Sequence, residues 1–173
     1  MSGGRGGPAL QRIRARWVGH PGTDWAIASL LTSLHFLAVR LSGAGDVLGW
    51  PGNGQRLGIY TTTATVVAIT GSFVTAAVAQ YASGSGRRMR ILRTSEALGS
   101  QFRRNWVSIL SATLAISGIC LLASILDTTG RDHGGVHWAV ELALLLGIAR
   151  SYRVLYLFRA VITAGDADLG EMP

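Results

Sequence analysis

"HWAVELALLLGIARSYRVLYLFRAV", residues 137–161, decides what kind of molecule this is. Its first half is apolar enough for lipid. Yet Glu141 stands near one end, and Arg150, Arg153 and Arg159 stand toward the other. Counting from Val136, only 14 residues precede Arg150. A helix needs about 20 predominantly apolar residues to cross the hydrocarbon core of a bilayer. This stretch therefore crosses only if its arginines run along their apolar stems to the headgroups at one face.

The rest of the chain argues that there is a bilayer to cross. Of 173 residues, 49% are hydrophobic and 14% charged, against about 25% charged in soluble domains. Mean hydropathy is +0.34. Three more apolar runs stand out: 25–39, extendable to Leu41, then 57–82 and 106–126. Backbone groups cannot stay unpaired in lipid, so these runs are expected to be helices. The connections suit that, with a Pro51-Gly52 turn signal in "SGAGDVLGWPGNGQ" and a short polar "DTTGRDHGG". The expected fold is an all-α integral membrane protein, an antiparallel bundle of four transmembrane helices with both termini cytoplasmic. The membrane domain covers 24–163, with spans at about 24–42, 57–82, 106–126 and 136–158 and a basic cytoplasmic loop at 83–105. A basic N-terminal segment (1–23) precedes it, and a flexible acidic tail (164–173) follows.

Orientation rests on arginine placement. All 16 basic residues are arginine, a bias expected of a GC-rich genome, such as that of an actinobacterium or its phage. Arg5, Arg12, Arg14 and Arg16 precede the first span. Arg87, Arg88, Arg90, Arg93, Arg103 and Arg104 lie between the second and third. Arg150, Arg153 and Arg159 close the fourth, and only Arg40, Arg56 and Arg131 fall on the opposite side. The positive-inside rule puts the crowded side in the cytoplasm of a bacterium. On this reading the crowded arginines, from Arg12 through Arg159, anchor the chain to anionic lipids of the inner leaflet. Leu10, Ile13 and Trp17 share one helical face, as do Ile91, Leu98, Phe102 and Trp106. Both sets suit helices lying on that leaflet. "SGA" at 42–44 is the competing reading, as a signal-peptide cleavage site, but the basic lead is long and the apolar run exceeds an ordinary signal core.

Two patterns inside the spans are candidates for function or packing. At about 1.5 Å per residue, Glu141 sits roughly 7 Å and His35 roughly 9 Å below the same outer boundary. Thr61, Thr62 and Thr65 enter at a similar level, with Arg40 and His137 just above. A polar cluster of these residues is suited to hold a proton or a cation, with Glu141 titrating and His35 relaying. The structural alternative pairs Glu141 with Arg40 from the first span, or with His137 one turn above it. The second pattern is a stripe of small residues at every fourth position, Ala64, Ala68, Ser72 and Ala76. Such a stripe admits close approach of another helix, from within the bundle or from a second copy.

The three-residue beat of Arg150, Arg153, Tyr156 and Arg159 resembles the fourth helix of voltage-sensor domains, which also have four spans and cytoplasmic termini. The resemblance covers one span. It implies acidic countercharges on the second and third spans. Here the second has no Asp or Glu, and Asp127 stands at the outer end of the third. In its broad pattern the chain is also similar to uncharacterised four-span membrane proteins of GC-rich bacteria.

Catalytic signatures are missing: no P-loop, HExxH, GxSxG or CxxC occurs. The lone Cys120 excludes an internal disulfide and a thiolate metal site. Asp132, His133 and His137 offer too few ligands in too short a loop for a metal site. The arginines border apolar runs instead of forming one soluble stripe, so nucleic acid is not expected as a partner. No enzyme, cofactor or metal is expected. The expected role is a non-enzymatic interaction or accessory subunit of a bacterial or phage-encoded envelope system, partnering another membrane protein or its own copy. A small ion or proton channel using His35 and Glu141 is the alternative.

Overall fold

The structure, a computed structural model, describes residues 20, 22–84, 86–127 and 135–169. Arg5, Arg12, Arg14, Arg16, Arg131, Asp132 and His133 lie outside the described residues, as do the face of Leu10, Ile13 and Trp17 and residues 170–173. So do the side chains of Arg88, Arg93 and Leu98. The described chain is all helical: α1 (Gly22–Ser42), α2 (Asn53–Ser83), a short α3 (Arg87–Thr94), α4 (Glu96–Leu126) and α5 (Val136–Leu169). Three helices, α1, α2 and the Gly99–Leu126 part of α4, are long and apolar enough to cross a membrane.

α1 has Asp24 in its first turn and Arg40 in its last, each at the end of the helix dipole that favours its charge. α2 starts after the Pro51-Gly52 turn, where Gln55 folds back and its side-chain oxygen accepts the Gly52 N–H at 3.3 Å. The residues expected as a basic loop, 83–105, hold α3 and the first turns of α4, broken only around Ser95. α5 continues to Leu169, past the expected start of a tail at 164. No proline occurs between Val136 and Pro173, so nothing covalent stops the helix at the apolar boundary.

α2, α4 and α5 pack together, and the buried positions of α2 show why. Tyr60, Val67, Val74 and Tyr81 repeat every seven residues, with Thr63 and Ala77 between them. That is a heptad seam, which keeps one stripe facing a partner helix. One core joins Tyr60 and Val67 to Ile116 and Cys120 of α4 and Val140, Ala143 and Leu146 of α5. A second joins Val74, Ala77 and Tyr81 to Phe102, Trp106 and Ile109, closed by Val154, Leu157 and Val161. Phe102 and Trp106, expected on the leaflet surface, are instead 9% and 4% exposed, and Phe102 stacks on Tyr81 at 5.1 Å. Burial against Tyr81 takes them off the surface, because α4 begins ten residues earlier than the apolar run suggests.

α2 and α4 approach closely at Gly71, where a β-carbon would lie 3.0 Å from Thr113 Cγ2. Gly71→Leu is therefore expected to push the pair apart and cost about 1–3 kcal/mol, the usual range for overpacking. Thermal unfolding in detergent checks this.

α1 stands apart. It leans mainly on α5, and its buried residues are Asp24 and Ala28. Ile27, Leu30, Leu31, Leu34 and Leu37 all face outward. In water such a row would be an aggregation hazard; in lipid it is the ordinary surface of a spanning helix.

Candidate functional site

The interior polar groups gather into three knots, and two of them were not legible as pairs. At one end, Asp24 of α1 accepts from Arg153 Nε and Nη2 at 2.9 and 2.8 Å. Arg150 Nε lies 3.4 Å from the same carboxylate, and Arg153 Nη1 donates to Asn105 Oδ1 of α4 at 3.3 Å. Asp24 and Arg153 are wholly buried and Arg150 is 3% exposed. The sequence reading of Arg150 and Arg153 as inner-leaflet anchors is thus corrected. Three residues apart, they share one helix face, and that face meets the Asp24 of α1 instead of headgroups. Arg159 lies on the opposite side of α5 and is exposed, as its half-turn offset requires. Arg87, Arg90, Arg103 and Arg104 are also exposed.

At the other end, Arg56 of α2 grips Asp127 through Nε and Nη2 at 2.7 and 2.8 Å, and its Nη1 donates to the Pro51 carbonyl at 2.8 Å. Tyr60 donates its hydroxyl to Asp127 at 3.0 Å, and the Asn53 amide donates to the Asp127 carboxylate at 3.2 Å and carbonyl at 2.7 Å. Both charges are essentially inaccessible, so only this full set of bonds compensates their lost hydration. Asn105 and Asp127 mark the two knots on α4. They are 22 residues apart, or about 33 Å along a helix, close to the thickness of the hydrocarbon core, about 30 Å.

The third knot contains the carboxylate that the sequence reading left over. Glu141 Oε1 meets His35 Nδ1 at 2.8 Å, and His35 Nε2 meets the Gly45 carbonyl at 3.0 Å. The His35 ring lies edge-on to Trp138 at 5.3 Å. The two structural partners considered for Glu141 meet other groups. Arg40 stacks over Phe36 at 5.2 Å, and His137 Nε2 lies 3.1 Å from Asp46. The reason is angular: His35 and Arg40 are about 140° apart on α1, so only one can face α5.

The threonines do not join this knot. Thr61 and Thr65 donate to carbonyls of their own helix, at 3.0 Å to Leu57 and 2.9 Å to Thr61, and both are exposed. Thr62 lines an apolar groove between α2 and α5 of about 480 Å³, with Val66, Gly147, Ile148 and Leu155. Of the small stripe, Ala64 packs against the first core, while Ala68, Ser72 and Ala76 are exposed. The seam that holds the helices together runs through the heptad positions instead.

Comparison with known protein families, curated proteins and solved structures found no match.

The chemistry must therefore be read from the three knots themselves. The two end knots are buried, their charged side chains at most 3% exposed. The third is open at one side, with His35 29% and Glu141 15% exposed. Between the end knots the described interior is apolar, built of Val67, Ile116, Val140, Ala143 and Leu146. Among the described residues, no group of three metal-binding side chains occurs.

Proposed function

We propose that this chain is a non-enzymatic, multi-pass protein of the bacterial cytoplasmic membrane, or of a phage-encoded envelope system, that works by packing its helices against a membrane partner. In this reading α5 is the fourth span and both termini are cytoplasmic. The exposed arginines Arg87, Arg90, Arg103, Arg104 and Arg159 then sit at the anionic inner leaflet, as the positive-inside rule expects.

The observation that carries the proposal is the outward stripe of Ala68, Ser72 and Ala76 on α2. Internal packing does not use it, and small residues at this spacing are what membrane helices use to approach one another. The apolar interior and the buried, charge-paired end knots favour a scaffold over a conduit. The test extracts the full chain from its native membrane in lipid nanodiscs. A particle mass well above one 18.3 kDa chain is expected, and Ser72→Trp should reduce it to a single chain. A lone chain in native extracts sinks the reading.

One observation favours a second reading. The partly exposed His35–Glu141 contact between α1 and α5 suits a small proton channel or carrier. It predicts proton flux into liposomes that Glu141→Gln abolishes. The absence of flux under any gradient removes it.

A further inference from the structure

α2 and α5 run side by side without closing on each other. The groove between them holds about 480 Å³ where Thr62 to Val67 face Leu144 to Leu155. A second stretch of about 340 Å³ continues it to Ala76 and Phe158, and the two stretches share Ser151 and Leu155 as walls. Val67 and Val154 are nearly buried and make its floor. Val66, Phe73, Ile148 and Leu155 are each more than half exposed and make its rims. Thr63 and Thr70 donate their hydroxyls to Ile59 and Val66 of their own helix, at 2.7 and 3.0 Å. Those two hydroxyls are satisfied within α2, which favours an apolar occupant.

Width and charge narrow the choice of occupant. Spread over the roughly 16 Å of helix from Leu144 to Leu155, 480 Å³ amounts to a cross-section of about 30 Å². A helix about 10 Å across has a section of about 80 Å². An extended hydrocarbon chain therefore fits the slot along its length, whereas a helix seats only separate side chains in it. The inner end carries a cation. Arg159 lies four, seven and eleven residues beyond Leu155, Tyr152 and Ile148, within about 40° of each around the helix, so it continues the face of the groove. Of the three arginines of α5, Arg150 and Arg153 are held by Asp24, and Arg159 is exposed. Depth agrees with this. From Arg56 to Ala76 is 20 residues, about 30 Å of helix, the thickness of the hydrocarbon core. Phe158 faces the groove with Ala76, and Arg159 comes next, at headgroup level. We propose that the groove binds an anionic phospholipid of the inner leaflet, one acyl chain lying between α2 and α5 and the phosphate meeting Arg159.

The helix-packing stripe does not compete for this groove. Ala68 and Ser72 lie between about 100° and 160° around α2 from Val66 and Phe73, and Ala76 stands at the edge of both surfaces. The inference rests on α5 being the fourth span, as proposed above. It stands whether or not the partner proposed there exists.

The experiment takes the full chain in mild detergent and counts bound lipid by native mass spectrometry, with phosphatidylglycerol or phosphatidylcholine of identical chains. The expected result is a phosphatidylglycerol held about fivefold more tightly than phosphatidylcholine, the effect of one arginine near an anionic headgroup. Arg159→Gln should remove that preference. Arg103→Gln, at an exposed position of α4 away from the groove, should keep it. Ser151→Phe should fill the groove and lower retention of both lipids, and the Arg159 variant keeps the test open if this one folds poorly. Equal retention of the two lipids by the wild type overturns the proposal. So does an Arg103 variant that loses the preference as fully as the Arg159 variant. A Ser151→Phe chain that halves in particle mass and keeps its lipid also overturns it, and puts a second copy in the groove. The span is read separately. Arg159→Cys in a chain with Cys120→Ala should react with a membrane-impermeant thiol reagent only from the cytoplasmic side. Labelling from outside overturns the fourth-span reading and the lipid site with it. Cytoplasmic labelling without a lipid preference overturns the lipid site alone.

Discussion

Asp24→Ala is expected to destabilise the protein by about 3–5 kcal/mol, the usual result of removing one partner from a buried ion pair. The loss falls on two residues at once. Arg153 gives up both of its carboxylate bonds, at 2.9 and 2.8 Å, and Arg150 gives up the countercharge 3.4 Å away. Two buried guanidinium groups then face each other from adjacent turns of α5. α1 also loses the polar attachment at its start, which leaves Ala28, His35 and Phe36 to hold it. A lower melting temperature in detergent and faster proteolysis between α1 and α2 are the measurements. Asp24→Asn keeps the shape but not the charge, and should fall between. A change below about 1 kcal/mol on Asp24→Ala would falsify the assignment of this knot as structural, since that is the size of an exposed pair.

Asp127→Ala should cost about as much, again roughly 3–5 kcal/mol, for a different reason. Here one carboxylate serves three partners, Arg56, Tyr60 and Asn53. Removing it leaves a guanidinium that is 1% exposed without its countercharge, and takes one acceptor from the Tyr60 phenol. Replacing both charges, as Arg56→Met with Asp127→Leu, should recover most of the loss, because buried ion pairs often break even against apolar residues of similar volume. The comparison of the two single variants with the double gives the coupling directly. Equal losses in single and double variants would show that the two side chains act independently.

These two knots also show what the sequence can and cannot say. Helix positions were legible because apolar run length is a strong local signal. α1 begins and ends within two residues of the expected span, and α4 ends at Leu126 as expected. The helix extensions were not legible. Residues 96–105 carry polar groups at most positions, so nothing local separates a helix start from a basic loop until Phe102 and Trp106 find Tyr81. Pairings across the chain were least legible. Asp24 looks like the polar edge of a span, and Arg150 and Arg153 look like its usual cationic end. Only the i, i+3 spacing of the two arginines hinted that they share a face. Whether that face meets lipid or a carboxylate depends on where α1 docks. For Glu141 the depth argument put His35 at the same level, and the two side chains lie 2.8 Å apart, because both residues sit at countable distances from the same boundary. It failed for the threonines, whose hydroxyls are satisfied by their own helix and have no need of a cluster.

The bond between Asp24 and Arg153 joins residues 129 positions apart. A ribosome making about 5–20 residues per second needs on the order of ten seconds to bridge that gap. Throughout that interval α1 lacks its main docking surface, because α5, the helix it packs against most, is made after it. The pair formed by α2 and α4 meets first, and α5 then arrives to fill its groove and to offer α1 a place. The first segment to emerge is thus the last to be seated, and until then its charge at Asp24 waits at the edge of the oil without a partner from its own chain.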